Sequence, residues 1–455
     1  MDTIALLSHA SPTGIVAYRS GRAVTAQQFL DDAKRLLRSL PPGKHVLNVC
    51  TDRYHFTLGL AACLISERVS LLPSTHTPQV IAHLAVFAPD AICLTDDPRC
   101  DIDLPTLHFP ALLPQPLLRP GPAAPFDVPQ IPAAQLAAIV FTSGSTGTPV
   151  PYKKTWGLLA RCVQNGAPRL GLLDGKSHTL VGTVPGQHMY GFESTVLLAL
   201  LSGNALSDER PFYPADVAAS LAKVPRPRVL VTTPIHLRTL LTSEIDLPPL
   251  DLVMSATAPL SRDLARTVEE KYRAPLQEIY GSTETGQIAM RRTAETAVWH
   301  LWPGVRLSVA NDRVFAQGGH IEQLTPLCDV IEITGAEEFL LHGRTADLVN
   351  VAGKRSSLGY LNAQLNAIPG VIDGAFFLRE DETGSTGVTR LGAAVVAPGL
   401  SAAGLTEQLR QLIDPVFLPR PLLMVEQLPR NATGKLPQQA LQGFADERLR
   451  IDESR

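Results

Sequence analysis

Short apolar runs rich in β-branched residues recur through the first part of the chain, separated by stretches with helical spacing. Strands are predicted at His45–Val49, Val69–Leu72, Ala91–Leu94, Ala137–Phe141, Thr179–Val184, Val229–Thr232 and Leu252–Ser255. Helical patterns at Phe56–Ser66 and Ser261–Lys271 lie among them, with Ser261 placed to cap the second. Strands alternating with helices predict an α/β fold of parallel sheets covered by helices. After Arg344 the texture changes: short alternating strands at Val371–Leu378 and Leu391–Val396 flank the amphipathic helix Ser401–Ile413. The chain is therefore expected to divide into a large, multi-lobed N-terminal domain over 1–344 and a small α+β domain over 345–455, about 110 residues long. Within the N-terminal domain lies the stretch 110–132, where Pro114, Pro116, Pro120, Pro122, Pro125, Pro129 and Pro132 predict an extended connector between two sub-lobes. No internal repeat of solenoid period is present.

Composition sharpens this in three ways. A length of 455 residues suits two or three domains, and 45% hydrophobic with 18% charged residues is ordinary for a globular protein. A net charge of −3 gives no electrostatic case for nucleic acid or an anionic membrane surface. Cys50, Cys63, Cys93, Cys100, Cys162 and Cys328 contain no C-x-x-C pair, and read as buried small hydrophobes in a reducing compartment. Neither a basic segment leading into an apolar core at the N-terminus nor an apolar run of bilayer length occurs, so a cytoplasmic location is expected.

The most informative stretch is Ile139-Val140-Phe141-Thr142-Ser143-Gly144-Ser145-Thr146-Gly147-Thr148-Pro149, an apolar strand opening into hydroxyls and glycines. Two glycines let the backbone approach an anion closely, and hydroxyls with loop amides supply donors for phosphate oxygens. It is not a Walker loop, because Thr148 stands where that motif requires lysine. A second Gly-Ser-Thr-Gly, at Gly384–Gly387, follows Glu380-Asp381-Glu382 and reads as a hairpin tip.

Downstream come Tyr280-Gly281-Ser282-Thr283-Glu284, then Gly343-Arg344, then Pro429-Arg430-Asn431-Ala432-Thr433-Gly434-Lys435. In this order and at these separations the set resembles the adenylate-forming superfamily of acyl-CoA synthetases, aryl-acid ligases, non-ribosomal adenylation domains and luciferases. The resemblance runs over nearly the whole chain from about His45 onward. It implies ATP and Mg2+ as cofactors and makes 345–455 a mobile lid. Lys435 matches the catalytic lysine, Glu284 the magnesium ligand and Thr283 an α-phosphate contact, while Thr142, Ser143, Gly144, Ser145, Thr146 and Gly147 form the phosphate loop. Tyr280, with Gly281 and Ser282, offers an aromatic face to adenine. Ala256-Thr257-Ala258-Pro259 stand where relatives carry a glycine-rich turn along the adenine slot. Asp329 corresponds to the ribose-binding aspartate, with Cys328 where relatives have glycine, and Arg344 is implied to reach ribose or phosphate. The loop lysine of relatives is replaced by Val150, which leaves Lys153 or Lys154 as a substitute. The hinge falls on Ala346, with Asp347 beside it.

Pro185-Gly186-Gln187-His188-Met189-Tyr190-Gly191-Phe192 matches the segment that forms the carboxylate pocket and thiol tunnel, and its His-x-x-Gly spacing is similar to acyl- and aryl-CoA synthetases. His188, Tyr190 or His236 are candidates to bond a ring hydroxyl. Glu193, the nearest counterpart to the aspartate with which amino-acid adenylation domains bind the α-ammonium, is one methylene longer and out of register. Gly353 and Lys354 sit where the lid would line the thiol tunnel. Within the superfamily, this segment, the compact length and Lys153-Lys154-Thr155-Trp156 resemble the stand-alone AMP-ligases of aryl-polyene and xanthomonadin pigment pathways. That likeness implies a hydroxybenzoate-type acid, 3-hydroxybenzoate foremost, and an acyl carrier protein as acceptor. Two alternatives stay open: an aryl- or acyl-CoA ligase of the same fold, and a degenerate member that binds nucleotide or acyl groups without catalysis. From Arg344 onward there are 12 Lys/Arg and 12 Asp/Glu, so bulk charge does not choose between carrier protein and CoA.

Overall fold

The computed structural model describes residues 2–109, 126–143, 149–311, 313–344, 348–351, 354–379, 390–431 and 434–453. Two large sheets carry most of the first 344 residues, beside a three-stranded sheet of Val305–Ala310, Arg313–Gly318 and Ile321–Pro326 and a two-stranded pairing of Thr3–Ala5 with Gln130–Pro132. The smaller of the two large sheets runs, in spatial order, Pro149–Thr155, Leu136–Ser143, Val69–Leu72, His45–Asn48, Ile92–Thr95 and Thr106–His108. Every pairing in it is parallel except the first. There Pro149 lies opposite Ser143 and Val150 opposite Thr142, so the phosphate-loop candidate joins two antiparallel strands.

In the larger sheet, Ile15–Arg19, Ala205–Ser207, Thr179–Gly182, Arg228–Thr232, Leu252–Ser255 and Leu276–Ser282 form a parallel block. Beyond Leu276–Ser282 the sheet continues antiparallel through Gly286–Arg291, Trp299–Leu301, Glu338–Arg344 and Asp329–Ile333. The sheets are thus mixed rather than purely parallel. The reason is connection length: three residues separate Ser282 from Gly286, whereas a parallel crossover needs about a dozen or more.

Helix Arg53–Ile65 is buried along almost its entire length, as an apolar surface on all sides demands. Asp52 caps it by accepting the His55 amide, so the helix starts at Arg53, three residues before the predicted Phe56. Helix Arg262–Tyr272 begins as predicted, with the Ser261 hydroxyl accepting the Leu264 amide. The main core draws on both sheets, from Leu6 to Phe339. Two further apolar clusters use only residues after Arg344, one around Leu361, Leu365 and Leu409, the other around Phe377, Leu423 and Leu441. Strands Asp373–Arg379 and Arg390–Val396 pair antiparallel with Arg379 opposite Arg390. The Gly384–Gly387 tip between them, and residues 110–125 of the proline-rich stretch, lie outside the described residues.

Among the described residues no helix is long and apolar enough to cross a membrane. The cysteines are free, but the expectation that all are buried needs correction: Cys328 is exposed and Cys100 half-buried.

Candidate active site

The carboxyl ends of parallel strands in the two sheets converge on one cavity of about 200 Å³. Leu72 and Thr142 come from the smaller sheet; Val184, Ala256 and Ile279 come from, or just after, strands of the larger. Such strand ends are where open α/β sheets bind ligands, because loops diverge there and leave a crevice. A larger hollow of about 360 Å³, between Asp246–Leu250 and Lys271–Arg273, shares none of these residues.

Of the predicted acid-pocket residues, His188, Tyr190 and Gly191 all line the cavity. The chain turns sharply there, and a Cβ at Gly191 would lie 2.0 Å from the Pro185 carbonyl oxygen. Backbone cannot yield as a side chain does. Gly191→Ala is therefore expected to lower stability by about 1–3 kcal/mol and to impair acid binding, read as a reduced urea midpoint with a raised KM for the acid. Burial drives the His188 imidazole down to about 4, and the charge of Lys435 adds to the shift. The ring is neutral at pH 7, so it offers hydrogen bonds without adding charge.

Ala256 and Thr257 also line the cavity; Ala258 and Pro259 follow but are not on its wall. Thr257 holds φ +79°. A β-branched residue rarely adopts that left-handed region, so Thr257 holds backbone strain at the cavity wall.

Tyr280-Gly281-Ser282-Thr283-Glu284 ends one strand and opens a tight hairpin. Ser282 and Thr285 brace it reciprocally: the Ser282 amide donates to the Thr285 hydroxyl and the Thr285 amide to the Ser282 hydroxyl, both at 3.2 Å. Gly281, Ser282 and Thr283 face the cavity. The Tyr280 ring packs against Trp299 and Phe339, with centroids 5.6 and 5.5 Å away, and its hydroxyl donates to Asp329 at 2.6 Å. Strand register sets Asp329 directly opposite Arg344. The nucleotide candidates Tyr280, Asp329 and Arg344 are thus brought to one place.

Lys435 reaches the same cavity from the other end of the chain. Arg430 forms a two-pronged ion pair with Asp373, at 2.6 and 2.7 Å, and also donates to the Gly434 carbonyl at 2.9 Å. Asn431 accepts the Lys435 amide at 2.9 Å, closing the turn. Gly434, at φ +75°, sits so close to Ile235 that a Cβ would lie 2.9 Å from its Cγ2.

Several expectations do not map onto the cavity. Lys154 is buried and donates to the Glu284 main-chain carbonyl at 2.8 Å, so it supports the hairpin from behind rather than facing a phosphate site; Lys153 points outward on the alternate face. His236 is buried, bonds the Thr233 hydroxyl at 2.9 Å and is not on the wall. Lys354 begins the strand Lys354–Ser357, opposite Val351. Gly144, Ser145, Thr146 and Gly147, the hinge pair Ala346 and Asp347, and Gly353 lie outside the described residues; Ser143 ends the strand before that loop. Phe141, Glu193, Gln287 and Asn431 line the cavity but were not selected from sequence. Glu193 is the surprise, since its register had set it aside.

Among the described residues no group of three or more His, Cys, Asp or Glu is placed to hold a metal. Mg2+ does not need one, because it keeps several waters and binds through one or two carboxylates plus substrate phosphates. The half-exposed Glu284, beside Thr283, suits that role; Tyr152 hydrogen-bonds its carboxylate.

Residues 9–318 match the family model described as AMP-binding enzyme. The chain belongs to this family of adenylate-forming enzymes. A 4-coumarate–CoA ligase from Rhodobacter capsulatus is 33% identical over 285 residues, covering 63% of this chain and 70% of the relative. A 4-chlorobenzoate–CoA ligase from an Arthrobacter species is 24% identical over 358 residues, covering 68% and 66%. The fold agrees with o-succinylbenzoate CoA synthetase from Bacillus subtilis in complex with its acyl-adenylate intermediate, at TM-score 0.79 and 17% identity over 96% of this chain and 97% of that one. As a member of the AMP-binding enzyme family with CoA-ligase relatives, the chain is an AMP-forming acid–thiol ligase.

Proposed function

We propose that this enzyme activates a hydroxybenzoate-type aryl acid, 3-hydroxybenzoate foremost, and transfers the acyl group to the phosphopantetheine thiol of an acyl carrier protein. The observation that carries the reading is the shared cavity: Lys435, Thr283 and a neutral His188 meet an apolar slot walled by Val140, Phe141, Val184 and Ile279. Its volume falls below the roughly 300–1,000 Å³ of sites for drug-sized ligands, which suits one aromatic ring.

In the first half-reaction a carboxylate oxygen attacks the α-phosphorus of ATP and pyrophosphate departs. Two anions must meet, so the main barrier is repulsion. Lys435 bridges them, and the Thr283 hydroxyl holds an α-phosphate oxygen. Glu284 would hold Mg2+, which would supply positive charge to offset the negative charge of the phosphate oxygens. Thr142 through Gly147 wrap the departing phosphates, while Tyr280, the Ala256–Pro259 turn, Asp329 and Arg344 hold adenosine. In the second half-reaction, residues 345–455 rotate as a lid about Ala346 and Asp347 and bring Gly353 and Lys354 to the thiol path. The thiol sulfur attacks the mixed anhydride and AMP leaves.

A second reading, CoA as the acceptor, is favoured by relatives named as CoA ligases. Pyrophosphate release is to be measured with Mg-ATP and a panel of benzoates, cinnamates, fatty acids and amino acids, first without thiol and then with CoA or holo-carrier protein. Release with hydroxybenzoates that accelerates with carrier protein is expected. Equal acceleration by free CoA moves the acceptor to CoA, and silence with every acid leaves a nucleotide- or acyl-binding protein.

A further inference from the structure

One ionisable group on the cavity wall has no part in the reaction above. Glu193 is 2% exposed and sits on Phe192–Leu197, a wide π-helical turn that continues the helix Met189–Gly191. Such turns redirect side chains and are frequent at functional sites. Its carboxyl is held from two sides: Oε1 accepts the Cys162 thiol at 3.3 Å, and Oε2 accepts the Gln287 amide at 3.2 Å. Glycine at 286 makes the room, since a Cβ there would lie 2.6 Å from Oε1. Lys154, buried behind the wall, favours the ionised carboxylate, while burial pushes the group up to about 7.

The cavity therefore has two chemically distinct regions. Lys435 enters it from the Asn431–Lys435 turn near the end of the chain. Glu193 instead sits among Cys162, Gly286 and Gln287, on elements of the N-terminal part. Each carboxyl oxygen accepts one bond from the protein and has capacity for another. An acid whose carboxylate faces Lys435 would leave Glu193 against its ring. A bare ring there would cover the remaining acceptor capacity of a buried carboxyl with carbon. Sites built to bond a substrate hydroxyl reject the analogue lacking it far more strongly than apolar pockets reject an extra methylene.

We propose that Glu193 determines substituent specificity, accepting a hydrogen bond from a hydroxyl or amino group on the ring of the substrate acid, with Cys162 and Gln287 positioning its carboxyl. The inference rests on the aryl-acid reading and names the donor-bearing subset of those acids.

The test compares kcat/KM for pyrophosphate release with 3-hydroxybenzoate, 3-aminobenzoate, 3-methoxybenzoate and benzoate. The wild type is expected to favour a donor-bearing acid over benzoate by at least about 100-fold, with the methoxy acid as poor as benzoate. In Glu193→Leu the donor-to-benzoate ratio should collapse towards about 10 or below, whereas the near-isosteric Glu193→Gln, which keeps one acceptor oxygen, should retain part of it; the ratio, not the rate, is the readout. A wild type that uses benzoate or the methoxy acid as well as the hydroxy acid overturns this inference and leaves the aryl-acid ligase standing. An unchanged ratio in folded Glu193→Leu also overturns it, and assigns Glu193 to holding the Gly286–Gln287 hairpin. Silence with every aryl acid overturns both readings. The wild-type comparison decides even if neither variant folds.

Discussion

Lys435→Ala is expected to reduce acid-dependent pyrophosphate release by about 10²–10³-fold while leaving the urea midpoint unchanged. The side chain is exposed and lines the cavity from a turn held by Arg430, Asp373, Asn431 and Gly434. On the proposed mechanism, removing the ammonium takes away the charge that offsets repulsion between carboxylate and α-phosphate. A second measurement separates its role from general damage. When the aryl-adenylate is supplied ready-made, repulsion between acid and ATP no longer has to be overcome, so thioester formation should persist in the variant. Near-normal pyrophosphate release by Lys435→Ala would refute the assignment; loss of both half-reactions together would point to a collapsed site.

The largest effect on stability is expected at Arg53. Its guanidinium is 2% exposed and donates to four main-chain carbonyls: Ser207 at 3.2 Å, Glu209 at 2.7 Å, and Gly182 and Val184 at 2.9 Å each. Burial lowers its pKa to about 10, so it remains charged at pH 7. The residue opens the helix packed between the sheets and ties that helix to strand ends of the larger sheet. Arg53→Met keeps much of the volume but leaves four buried acceptors without their donor, a loss of about 3–5 kcal/mol read from urea unfolding. Arg53→Lys should recover only part, because a single ammonium lacks the planar fork that reaches all four. Val184 lines the cavity, so the acid KM should rise along with the loss of stability. A variant as stable as the wild type would show that water replaces the guanidinium at these carbonyls.

Legibility varied with how local the determining physics was. The strands His45–Asn48, Val69–Leu72 and Leu252–Ser255 appeared where apolar runs predicted them, because burial and β-branching act within a few residues. The Ser261 cap was equally local. The antiparallel extension of the larger sheet was not anticipated, since strand direction depends on partners and on connection lengths rather than on composition. Helix Arg53–Ile65 began earlier than expected because an arginine at a helix start reads as solvated until its four carbonyl partners, more than a hundred residues away, are known.

The same division runs through the site. By itself the chain determined which motifs exist and in what order: the Ser/Thr/Gly loop, the Tyr280–Glu284 hairpin and the Asn431–Lys435 turn carry their chemistry in adjacent residues, so short windows suffice to read them. Tertiary structure alone decided which groups meet. It turned Lys154 inward to the Glu284 carbonyl instead of towards a phosphate site, removed His236 from the wall, and brought Glu193 onto it through a π-helical turn that shifts register against ordinary helical counting. The physical reason is that a side chain's environment depends on backbone direction and on partners distant in sequence, and neither is encoded in its immediate neighbours.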